Sequence, residues 1–231
     1  MRHRPKRASA LLIELREHVP FSVAAVAVGL VVAGAICILG FRGETVVPAT
    51  GHADRDDPAR LFFHLFHPVH MLFSGAATAA MFSRFDKSVA KSVVIGLIGA
   101  IGVCGISDIM MPHVALILLG TSPGLHICVI EHPDLVLPFA GIGVLTGIAT
   151  AGSERRATIV SHSMHVLAST MASIFYMVGP LGTIAWIDRI GPVFLFVVLA
   201  VIGPCCVSDI IFPVGMSHAA RAEYKREGHS H

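Results

Sequence analysis

Charge is what this sequence has least of. Aspartate, glutamate, lysine and arginine make up 14% of its 231 residues, where a soluble domain carries roughly 25%. With a mean hydropathy of +0.75, that scarcity excludes an ordinary soluble domain. A net charge of +2 supplies no basic surface, and no nucleic-acid partner is expected. Lysine and arginine are missing from the interior of every apolar stretch, so a large anionic substrate would find no counter-charge there. A disulfide framework is lacking as well. Cys37, Cys104, Cys205 and Cys206 fall within apolar stretches, and Cys128 stands in a loop without an obvious partner. Buried thiols of this kind behave first of all as small hydrophobes.

What is present is apolar sequence in blocks about 20 residues long, the length a helix needs to cross roughly 30 Å of hydrocarbon. The blocks predict an all-α, polytopic integral membrane protein with six transmembrane helices, at 20–40, 61–82, 90–111, 135–152, 157–178 and 192–213. The first follows a basic start like that of a signal peptide. Its apolar run is too long, however, and no small-residue cleavage site closes it, so it reads as an anchor.

The basic residues set the orientation. With the N-terminus inside, Arg2, Arg4, Lys6, Arg7, Arg16, Arg84, Lys87, Lys91, Arg155, Arg156, Arg221, Lys225 and Arg226 are cytoplasmic, and only Arg42, Arg55, Arg60 and Arg189 lie outside. That asymmetry obeys the positive-inside rule. A plasma-membrane protein with both termini in the cytoplasm is expected. Residues 1–19 form a basic cytoplasmic segment, 20–113 a first three-helix unit with an irregular outer loop at 41–60, and 114–134 an outer connecting loop. Residues 135–214 form a second three-helix unit and 215–231 a cytoplasmic tail.

The two units echo one another. HPVHMLFSGAA (67–77) aligns with HSMHVLASTMA (162–172), pairing His67 with His162, His70 with His165, Leu72 with Leu167 and Ser74 with Ser169. IGVCGISDIMMP (101–112) aligns with IGPCCVSDIIFP (202–213), pairing Cys104 with Cys205, Ser107 with Ser208 and Asp108 with Asp209. A weaker echo joins EHVPFSVAAVAVG (17–29) to EHPDLVLPFAGIGVLTG (131–147). The order is the same in both halves. Three spans per half is an odd number, so the second copy enters the membrane from the opposite side. The expectation is an inverted-topology repeat, an architecture recurrent in secondary transporters.

The repeated polar residues are the candidate site. Residues three apart lie close on one helix face, so His67 with His70, and His162 with His165, can converge on one ion. His64 lies further round the helix and also suits a wet interface. Pro68 is tolerable in a first helical turn, which suggests a regular helix starting near His67. Asp108 and Asp209 are ionisable residues within spans, and such residues usually mark a pathway, a partner or a bound ion. Each is placed near the end of its helix, where a cation would offset the dipole. Alternatively, Ser107–Asp108 and Ser208–Asp209 cap a new half-helix. Cys104 and Cys205 are accessory soft donors or packing residues.

Depth then divides the set. His64, His67, His70 and Asp108 fall in the outer half, with Glu131 and His132 nearby; His162, His165 and Asp209 fall in the inner half, with Glu17 and His18 nearby. Two similar poles, one facing each compartment, are expected. Imidazoles completed by a carboxylate suit Zn²⁺, Mn²⁺, Fe²⁺, Co²⁺ or Ni²⁺ better than Ca²⁺ or Mg²⁺. The leading expectation is a transporter or exchanger of such an ion within the lipid bilayer, with proton coupling open to it through the imidazoles and homodimerisation compatible with its small size. Two alternatives stand beside it. Histidines, a serine and an aspartate around zinc resemble the residue set of membrane ceramidase-like hydrolases, at a different spacing. Axial histidines for b-type haems in each leaflet are the other.

Overall fold

The computed structural model describes residues 7–40, 58–151, 155–182, 184–206 and 211–216, and the regular structure among them is entirely helical. Helix α1 is Arg7–Gly40, α2 Pro58–Phe85, α3 Val89–Leu118 and α4 the single turn Cys128–Glu131. Helix α5 is Pro133–Thr150, α6 Arg155–Leu181, α7 Ile190–Cys206 and α8 Phe212–Met216. A 3₁₀ turn, Ala185–Arg189, leads into α7.

Among the described residues, five stretches are long and apolar enough to cross a membrane: Val19–Leu39, Val89–Leu118, Pro133–Thr150, Ser163–Leu181 and Ala185–Cys205. Their packing inverts that of a soluble protein. Val31, Val94, Ile117, Leu145 and Leu199 face outward, while His67, His70, Asp108, His165 and Ser169 are sealed inside. Large apolar side chains over so much of the exterior mark a surface meant for hydrocarbon.

Helix α2 is the axis of the bundle, packed against α3, α5 and α6. It begins at Pro58, where a proline costs no hydrogen bond, and not near His67 as the position of Pro68 suggests. Pro68 lies inside the helix. The uninterrupted run Leu61–Phe66 carries the helix upstream, and Pro68 only removes the amide that would have met the His64 carbonyl. At 28 residues, α2 is about 42 Å long.

Small residues let its neighbours come close. A Cβ on Gly143 would run into the Leu72 carbonyl, and one on Gly147 into the Ala76 carbonyl. Glycines four apart on α5 thus place two helix backbones in contact, which lipid alone would not drive.

Helix α3 continues past the expected end at residue 111 to Leu118. Gly120, at a φ of +80°, then turns the chain, and the amide of Thr121 closes on the Leu116 carbonyl at 3.0 Å. Only glycine takes this left-handed conformation without penalty. The expected irregular loop at 41–60 gives way to helix from Pro58; residues 41–57 lie outside the described ones.

Candidate metal centre

Asp108 organises the centre. It sits in the middle of α3, not near a helix end, and the backbone around it stays right-handed helical. The Ser107–Asp108 pair is therefore neither an N-cap nor a break. The helix widens there instead, into π-helical turns at Ile98–Val103 and Ile106–Met110. Pro112 supplies one cause: its ring clashes with the carbonyl four residues back. Accordingly, the Met111 amide reaches five residues back, to the Ile106 carbonyl. Such wide turns recur at functional sites because they turn side chains out of the α-helical register.

Both carboxylate oxygens of Asp108 are occupied. Oδ2 accepts from His67 Nδ1 at 2.8 Å and from His70 Nδ1 at 2.6 Å. Oδ1 accepts from the hydroxyls of Ser107 at 2.9 Å and Ser169 at 3.1 Å. Ser173 of α6 donates to the Ser107 carbonyl at 3.2 Å, tying α6 to the same turn. A carboxylate only accepts, so each Nδ1 carries a proton, and in the neutral ring Nε2 keeps its lone pair. Metal-bound histidines are commonly held in this way, through the nitrogen that faces away from the ion. Asp108, expected among the ligands, has both carboxylate oxygens taken up by these hydrogen bonds.

His70 also reaches sulfur: Nε2 is 3.5 Å from Cys104 Sγ. Two ligands of these types on one tetrahedral zinc would lie about 3.6 Å apart, given Zn–N and Zn–S bonds of roughly 2.05 and 2.3 Å. His165 of α6 closes in from the other side, its ring centroid 4.6 Å from that of His70. The donor atoms of His70, Cys104 and His165 all lie within 4.8 Å of one another. Cys205 of α7 is buried beside His165 and His70. Two imidazoles and the Cys104 thiol therefore bring their donor atoms together in the sealed interior, with Cys205 alongside, and His70 and Cys104 are the sequence equivalents of His165 and Cys205. Cys104, expected as an accessory or packing residue, stands among the possible donors.

Depth separates the halves less than expected. His70 and His165 fall twelve and ten residues from the starts of α2 and α6, about 18 and 15 Å along helices roughly 40 Å long. Both lie towards the middle of the bundle, where they meet instead of lying at opposite ends.

A second group of histidines gathers where the 119–132 segment covers the bundle. His64 turns away from Asp108 and brings its Nε2 to 3.0 Å from Nε2 of His126. His132 completes the trio, its ring centroid 4.8 Å from that of His64. Glu131 holds His126 through Nδ1 at 2.7 Å and accepts the Ile127 amide at 3.1 Å. Burial pushes the His126 imidazole below its ordinary value, outweighing the Glu131 carboxylate that raises it. Slight burial opposes, but the His126 and Ile127 hydrogen bonds hold Glu131 below the usual carboxylate range. Burial drives the Cys128 thiol up to about 12, consistent with a packing role.

Phe63 lies between the two groups, stacked on His67 at 5.0 Å and tilted against His64 at 5.4 Å. The Nε2 atoms of His67 and His132 are buried without a hydrogen-bond partner.

His126 is the residue that the sequence pattern does not single out. It has no repeat partner and no histidine at helical spacing, so only the fold of the loop reveals it. The side chains of His162, Glu17 and His18 lie outside the described residues, as do Ser208 and Asp209 entirely. No protein-family model matches the chain, and no curated protein or solved structure matches it either.

Proposed function

We propose that the chain is a six-span transporter or exchanger of a divalent transition-metal ion in the plasma membrane, with both termini in the cytoplasm and two inverted repeats that alternate about a shared centre. One observation carries the reading: His70 and Cys104 from one sequence echo meet His165 and Cys205 from the other. In an inverted repeat, residues near the pseudo-two-fold axis converge with their own equivalents, and an ion held there has similar surroundings from either side. In this reading His70 and His165 hold the ion, Asp108 fixes the His70 and His67 imidazoles, and the thiols select. Thiol donors favour Zn²⁺ over Mn²⁺ within the expected set.

Two earlier alternatives fit less well. A hydrolytic zinc keeps one position open for water, whereas this centre is sealed from solvent. The His70 and His165 rings lie too close to admit a porphyrin between them. That same sealing favours a different second reading, a fixed structural ion that staples α2, α3, α6 and α7.

Zinc flux into proteoliposomes separates the two. Transport predicts flux above that of empty vesicles and a clear loss in Asp108→Asn. A structural ion predicts tightly held zinc and no flux, and that result would end the transport reading.

A further inference from the structure

We propose that His64, His126 and His132 form a second transition-metal site, separate from the central one, which takes a divalent ion such as Zn²⁺ or Co²⁺ in an all-imidazole shell. Three observations support it. The 3.0 Å between the Nε2 atoms of His64 and His126 is near the roughly 3.3 Å that separates two imidazole nitrogens on one tetrahedral zinc. Glu131 occupies Nδ1 of His126, which leaves Nε2 of that ring with its lone pair directed at His64. Finally, Nε2 of His132 is buried with no partner, a costly state that a bound cation relieves.

Three histidines leave a fourth tetrahedral position, the mark of a site where ligands exchange. The half-buried position at the loop end suits exchange with solution, unlike the sealed centre. Phe63 keeps the two sites chemically distinct by standing between His64 and His67. A role as the point of ion uptake rests on the transport reading; the existence of the site does not.

Co²⁺ titration of the full chain in detergent distinguishes the sites by colour. An all-imidazole site gives visible ligand-field bands alone, while thiolate ligands add intense near-ultraviolet charge transfer. One equivalent of Co²⁺ without charge transfer is expected, and it should vanish in His126→Gln and in His132→Gln. Glu131→Gln should weaken the same site by about 10–100-fold. His64→Gln, altering a different element, provides an independent variant, and circular dichroism checks that each remains helical. Unchanged cobalt stoichiometry and bands in these helical variants would overturn the proposal, as would wild-type binding that shows only charge transfer. Absent flux with the sulfur-free band intact would sink transport and leave this site standing.

Discussion

His70 and His165 hold equivalent positions in the two sequence echoes, and their rings face each other with centroids 4.6 Å apart. Residues so related should contribute alike. Replacing either by alanine removes one imidazole from the same centre, so both variants should lose zinc affinity by similar factors. Competition with a chromogenic chelator measures this. A large loss in one variant and none in the other would show that the two histidines serve different sites.

Asp108 accepts four side-chain hydrogen bonds, and in the proposed centre it acts on the ion only through histidine. Asp108→Asn should therefore weaken zinc binding about 10–100-fold without changing the number of ions bound. Asp108→Ala strands two buried imidazole N–H groups. Leaving a buried donor without its partner costs about 1–3 kcal/mol, so that variant should unfold at a visibly lower temperature in detergent.

The thiols of Cys104 and Cys205 give the centre its softness. Cys104→Ser and Cys205→Ser should each reduce the thiolate-to-cobalt charge-transfer band, and the double variant should abolish it. The preference for Zn²⁺ over Mn²⁺ should narrow in step. An intact band in the double variant would place the cobalt elsewhere.

Packing around α2 offers a test independent of metal. Gly147→Val forces a side chain against the Ala76 carbonyl, and overpacking of this kind costs about 1–3 kcal/mol. Gly141 on the same helix faces open space, so Gly141→Ala should leave the unfolding temperature almost unchanged. Equal effects at the two positions would contradict the close α2–α5 contact.

Much of the centre was legible in the sequence because paired motifs label it. His70, Cys104, Asp108, His165 and Cys205 all fall in such motifs, and the structure brings them together; Asp209, the counterpart of Asp108, lies outside the described residues. His70 and His165, assigned by the sequence to opposite ends, meet because the helices that carry them pack together. A motif near the start of an apolar run reads as lying at the membrane edge, yet His70 and His165 are twelve and ten residues inside α2 and α6. Proline also misleads locally: Pro68 marks no helix start, while Pro112 widens a helix that the Ser-Asp motif seemed to end. His126 carries no periodic or repeated signal at all. Only the path of the loop brings it to His64.

The central claim is that one centre, built from both halves, carries the ion across. Zinc flux measured in both directions across vesicles bearing wild-type chain, His70→Ala or His165→Ala tests it most directly. The account predicts that each substitution brings flux in both directions down to the level of empty vesicles. Wild-type flux in either variant would contradict it.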